Sequence, residues 1–171
     1  MIDTTKLFSR KFLTTTHNVT TQNYILWRDS GELDLNASYQ RDYVWTDKEQ
    51  QEFLYSIFNN LPLGHVALID RDSWTAGVAN YEIVDGKQRI TTLLKFFDNE
   101  IGYKVDGVEV FYKDLDIVTQ RQVKNKTLPY QQLINVTEKD KLEYFYRVNF
   151  SGVPQSEEHR IKIIELLGGV K

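Results

Sequence analysis

From Tyr81 the chain alternates through YEIV and then changes period. Ile90, Leu93, Leu94, Phe96 and Phe97 recur at three- and four-residue spacing. The switch predicts a strand over Tyr81 to Val84 passing directly into a helix that begins near Gly86. The same pattern upstream gives a helix after Thr46, with Phe53, Leu54, Ile57, Phe58 and Leu61 on one face and Pro62 and Gly64 as stops. Thr46 and Glu49 have the spacing of a capping box, in which hydroxyl and carboxylate satisfy the free N–H groups of the helix start. Between these two helices His65 to Asp70 reads as a strand and RDSWTAGVAN as a polar loop.

Other elements follow by the same rules. The segment NYILWRDSGELDL reads as a short helix closed by Gly31, and Leu33 to Trp45 as extended chain. In IGYKVDGVEVFY two alternating runs flank Asp106 and Gly107, a pair that accepts positive φ and predicts a β-hairpin. Helices are expected over Asp114 to Lys126, from Thr137 as N-cap to Val148, and over Ser156 to Leu167, with Ile161, Ile164 and Leu167 on one side and Gly168 as stop. Leu128 to Val136 reads as extended. The mixture is α+β: one domain over residues 19–171, a small mixed sheet with a β-hairpin surrounded by helices, preceded by a loose threonine-rich arm at 1–18.

Composition narrows the function. The 171 residues are 41% hydrophobic and 26% charged, with ten tyrosines, as in a folded domain with an aromatic-rich core. A net charge of −3 argues against binding nucleic acid through a large basic face, which must neutralise many phosphates. The absence of cysteine excludes disulfides and thiol chemistry. No run reaches the roughly 18 apolar residues of a membrane span, and the N-terminus lacks a signal-peptide block, so a cytoplasmic protein is expected. The three histidines, His17, His65 and His159, stand apart and predict no metal cluster.

Candidate chemistry gathers at three places. In Asp85-Gly86-Lys87-Gln88-Arg89 a helix start follows a strand, so its unpaired N–H groups and partial positive charge suit an anion. Gly86 lets a ligand approach the backbone, Arg89 can fork onto phosphate oxygens, Lys87 adds a charge, Asp85 can hold magnesium or water, and Gln88 can orient a water or a base edge. The alternative is a structural turn in which Asp85 is an N-cap and the following residues are solvated. Cations at a helix N-terminus oppose its dipole, which favours an anion or carboxylate nearby. In YQRDYVW, Gln40 and Arg41 lie among aromatics that can aim the arginine at an anion. In FYRVNFSG, Arg147 and Asn149 close a helix, as stop residues or as ligand contacts.

Taken together and in this order, YQRDYVW, SIFNNLPLG, VDGKQRITTLLKFF and FYRVNFSGVPQSEEH resemble the N-terminal domain of GmrSD-type restriction proteins, of the ParB/sulfiredoxin-like superfamily. The likeness runs from about Asn23 to Glu165, with Lys87 in place of the family's usual glutamine. The resemblance implies a domain that binds and hydrolyses a nucleoside triphosphate with Mg2+, licensing DNA cleavage by a separate nuclease chain in phage defence. It points to Asp85, Gly86, Gln88 and Arg89, to Gln40 and Arg41, and to Arg147 and Asn149. Sulfiredoxin chemistry itself needs a cysteine and is excluded.

Two other functions are compatible with the sequence. A DNA-binding or DNA-nicking domain predicts a local basic surface from Lys6, Arg10 and Lys11 or from Arg121, Lys124 and Lys126, either of which is otherwise a solvated face. A non-catalytic inhibitor or adaptor of a restriction system predicts partner binding without turnover.

Overall fold

A computed structural model describes residues 11–71, 79–150 and 157–167. They fall into two compact units, Thr16–Gln132 and a smaller one from the described parts of 1–15 and 133–171. The division runs through β1 (Leu13–His17) and β7 (Tyr130–Ile134).

In the larger unit, α1 (Thr21–Asp29) starts at a capping box between Thr20 and Asn23 and ends at Gly31, where φ is +74°. Strand β2 (Leu33–Asp34) runs parallel to β4 (Tyr81–Asp85), and β3 (Val66–Asp70) runs antiparallel to it, with a register shift between Ala67 and Leu68. The sheet order is β1-β7-β3-β4-β2. Strand β4 is therefore flanked on both edges, and Glu82, Ile83 and Val84 are all buried. Helix α2 (Asp47–Phe58) has the expected Thr46–Glu49 capping box, while α3 (Lys87–Phe97) follows β4 after one residue. Leu54 and Ile57 of α2 and Ile90, Leu93 and Phe96 of α3 are fully buried in one core with Val66, Leu68 and Ile83.

The hairpin β5 (Tyr103–Val105) and β6 (Val108–Val110) turns at Asp106 and Gly107, whose φ angles of +49° and +80° suit the type expected from that dipeptide. Gln51 of α2 holds its base, donating to the Gly102 carbonyl at 2.8 Å and accepting from the Lys104 N–H at 2.9 Å. Helix α4 (Ile117–Lys124) starts at Asp116, whose carboxylate accepts from the Val118 and Thr119 N–H groups. A short 3-10 turn at Tyr112–Asp114 precedes it, so the helix starts three residues later than the expected Asp114. The smaller unit holds α5 (Glu138–Phe150), capped by Thr137 with Asp140, and α6 (Glu157–Leu166).

The α+β class and the hairpin are as expected, with four corrections of detail. Leu13–His17, placed in a loose arm, form β1, where β-branched threonines suit a strand. Only Leu33–Asp34 of the extended stretch 33–45 pairs as a strand; the remainder is irregular because side chains, described below, satisfy its backbone. Helix α2 stops before Leu61, at Asn59 and the left-handed Asn60. Ile163 of α6 and Leu167 just after it are buried, one turn apart, while Ile161 is exposed. Most of the loop after Arg71 and Gly168 lie outside the described residues.

The cap carboxylates make stability sensitive to acid. The Glu49 carboxyl is held below its ordinary value mainly by the Thr46 backbone N–H, and those of Asp116 and Asp140 mainly by the hydroxyls of Thr119 and Thr137. Each folded value lies below the unfolded one, so the contribution is present above 4.5 for glutamate and 3.8 for aspartate and is lost as pH falls through the folded values. Urea midpoints measured downward from pH 5 are expected to fall less steeply in Glu49→Gln than in the parent chain; parallel curves would remove Glu49 from the effect.

Candidate functional site

The site begins where β4 must become α3 within one residue. Gly86 makes that turn at φ +99°, and a Cβ there would meet Val66 Cγ2 at 3.0 Å and Val66 Cα at 3.3 Å. An L-side chain is thus both strained and crowded against β3. Because Gly86 is the N-cap, no side-chain oxygen caps α3, and Asp85 is the last residue of the strand rather than the cap. The first N–H groups of the helix therefore lack a side-chain acceptor.

Arg89 projects from the first turn of α3. Its Nη2 pairs with Asp85 Oδ2 at 3.1 Å, both side chains about three-quarters covered. A carboxylate thus answers the cation that the helix dipole disfavours. Gly64, at φ +78°, has an Arg89 guanidinium nitrogen in the space a Cβ would need. The glycine expected only to stop a helix therefore makes room for the arginine. Lys87 is half-buried and forms no hydrogen bond or ion pair among the described residues.

The segment Tyr39 to Trp45 is laid against β4 and α3 by side chains. Tyr39 donates to Glu82 Oε1 at 2.7 Å, and the Gln40 amide donates to the Ile83 carbonyl. Gln88 donates to the Asp42 carbonyl at 3.0 Å and accepts from the Val44 and Trp45 N–H groups at 2.9 and 3.3 Å. Tyr43 meets the Thr92 hydroxyl at 2.9 Å, and that hydroxyl also donates to the Gln88 carbonyl at 2.8 Å. Arg41 is left out of this stapling: it forms no hydrogen bond or ion pair among the described residues, and its charge helps keep the Glu49 carboxyl low after the dominant Thr46 bonds.

Behind the segment lies a polar network. Glu82 is 2% exposed in the middle of an apolar strand, and Arg71 forks onto its Oε2 at 2.6 and 3.1 Å while reaching Asp34 at 2.9 Å. A buried carboxylate needs such partners. Tyr39 and Tyr43, read as aromatics around Arg41, instead hydrogen-bond Glu82 and Thr92, and Glu82, Thr92 and Gly64 were given no part in the site from the sequence. The available signal was Glu82, an acid inside the run YEIVD.

The structure thus brings Gln40 and Arg41 to the turn that carries Asp85, Gly86, Lys87, Gln88 and Arg89. Arg147 and Asn149 belong to the smaller unit, near the end of α5, where Arg147 pairs with Glu143 at 3.0 Å and Asn149 donates to the Phe145 carbonyl at 3.0 Å. Among the described residues no three acidic or histidine side chains gather as a metal cluster. Asp85 Oδ1 accepts no hydrogen bond among the described residues, and one carboxylate suffices for Mg2+ that arrives with phosphate and water ligands. No helix among the described residues is long and apolar enough to cross a membrane.

The family model described as "GmrSD restriction endonuclease, N-terminal domain" matches residues 27–164. The chain belongs to this family. Its role accordingly lies in DNA restriction and phage defence. No curated protein and no solved structure shows significant similarity to it. The match to the GmrSD N-terminal domain spans both the Tyr39 segment and the Gly86 turn, the two pieces that the Gln88 amide joins.

Two substitutions test this construction. Gly86→Ala is expected to cost about 1–3 kcal/mol in urea unfolding, from the positive φ and the contact with Val66; an unchanged midpoint would show the turn to be relaxed. Gln88→Ala is expected to speed amide hydrogen exchange at Val44 and Trp45 selectively, since the side-chain Oε1 of Gln88 is the acceptor for both. Unaltered protection there would mean that the loop is held by other contacts.

Proposed function

We propose that this domain binds a nucleoside triphosphate with its phosphates at the start of α3 and hydrolyses it with Mg2+, so that nucleotide state governs DNA cleavage by a separate nuclease chain. The observation that carries the reading is Arg89 beside the uncapped α3 N-terminus with Lys87, against which the neighbours of Arg41 are stapled while Arg41 itself has no hydrogen bond or ion pair among the described residues. Backbone N–H groups and arginine forks are the groups that neutralise a triphosphate.

Each residue then has a distinct task. Arg89 swings between Asp85 and phosphate oxygens, and Arg41 approaches from the opposite segment. Lys87 contributes a point charge without a fixed geometry. Gly86 keeps the backbone approachable. Mg2+ bound to the phosphates supplies charge neutralisation, with Asp85 as the protein carboxylate nearest the turn. Gln88 and Gln40, expected to contact ligand or water, act instead by positioning: both amides are engaged with main chain, so they hold Arg41 in place.

Direct DNA binding has less to support it. Lys11 pairs with Glu143, Lys126 donates to Asn60 at 2.8 Å, and Lys124 lies over the Tyr112 ring, so each of these cations already has a partner. Lys6 and Arg10 lie outside the described residues.

Calorimetric titration with ATP, GTP, CTP and UTP in Mg2+ tests the reading. Binding of at least one is expected, with Arg89→Ala weakening it by roughly 1.5–3 kcal/mol, the range of a charged hydrogen bond. A folded protein that binds none, or an Arg89→Ala variant of equal affinity, would overturn it.

A further inference from the structure

An open cleft of about 710 Å³ lies between the first turns of α2 and the Pro62–Gly64 loop, within the range of small-molecule sites. It is lined by the Trp45 indole, whose ring centroid lies 5.7 Å from that of Phe53, and by Leu63. Lys48 and two glutamates line it as well. Glu49 is committed to the α2 cap, whereas the exposed Glu52 carboxylate has no hydrogen-bond partner among the described residues.

The cleft is joined to the phosphate turn through Gly64. That glycine lines the cleft and is also the residue against which the Arg89 guanidinium rests. The charge of Arg41 acts on Glu49, one of the residues lining the cleft. The interior thus carries both signs of charge, while the Arg89 guanidinium stands just beyond Gly64. The unpartnered Glu52 carboxylate suits a ring or sugar with N–H or O–H donors, and the arginine suits phosphate oxygens. An indole face favours a planar base in a way that is tolerant of base identity.

We propose that the nucleoside of the bound triphosphate enters this cleft, its base stacked on Trp45 and its polar edge or ribose hydroxyls donating to Glu52, with the phosphates leaving past Gly64 to Arg89. This assignment rests on the phosphate reading above and names the other half of the same ligand.

The test compares ATP, GTP, CTP and UTP with inorganic tripolyphosphate, all with Mg2+, on the full chain. At least one nucleotide is expected to bind about tenfold or more tightly than tripolyphosphate, the scale of one base–aromatic stack. Ser56→Trp, which places a bulky ring in the cleft from the half-buried Ser56, is expected to reduce nucleotide affinity to the tripolyphosphate level and leave tripolyphosphate binding unchanged. Trp45→Ala is expected to do the same and Trp45→Phe to restore most of the difference, which separates stacking from misfolding. Nucleotides no tighter than tripolyphosphate, or nucleotide affinity unmoved by Ser56→Trp and Trp45→Ala while Arg89→Ala abolishes it, would overturn the cleft and leave the phosphate reading standing. A Ser56→Trp variant that loses both probes equally would also overturn it. Binding of neither probe by the parent chain would remove the phosphate reading, and this assignment with it.

Discussion

An irregular stretch of chain laid against a buried strand must find partners for its backbone polar groups, and here one amide supplies three of them. Gln88 bonds the Asp42 carbonyl and the Val44 and Trp45 N–H groups. Tyr39 and Gln40 anchor the start of the same stretch to Glu82 and Ile83, and Tyr43 anchors its middle to Thr92. Without these bonds the segment has no sheet ladder or helix to satisfy it, and the cost of burying bare peptide groups would push it into water. The placement of Arg41 and of Trp45 depends on that one arrangement.

The charge distribution follows from the same constraint. Strand β4 ends in Asp85, α3 begins after a glycine, and Arg89 comes one helical turn later, so acid and base meet across the turn they flank. The ion pair offsets the unfavourable placement of a cation at a helix start, and it leaves the first N–H groups of α3 without a side-chain cap. A second buried pair, Glu82 with Arg71, sits behind β4 and fixes the Tyr39 hydroxyl. Both pairs have their acid on the same five-residue strand, Asp85 facing Arg89 four residues on and Glu82 sharing Arg71 with Asp34 of β2.

Much of this was legible in the sequence, and for identifiable reasons. The α2 and α3 helices, β3, β4 and the Asp106-Gly107 hairpin were marked by periodicity, by a capping box and by a turn dipeptide, all local signals. The candidate turn was legible too, since a glycine between a strand and a helix exposes backbone N–H groups. What could not be read was which polar residues of the motifs bond the main chain and which do not. Gln40 and Gln88 look like ligand contacts in a linear motif, yet their partners are peptide groups over forty positions away. Strand β1 was missed because its side chains are all exposed, leaving no alternation to detect. The buried face of α6 was displaced because Ile161, Ile163 and Ile164 fit two helical stripes equally well.

The contact between Gly64 and Arg89 has a consequence for descent. The guanidinium occupies the volume that any side chain at position 64 would claim, although the two residues lie on different elements and share no hydrogen bond. A lineage that acquires alanine at 64 must move or shorten the residue at 89, and one that loses the arginine releases the glycine from this steric demand, though not from its positive φ. The two positions are therefore expected to change together as a single inherited character, and their covariation would trace which members keep this geometry.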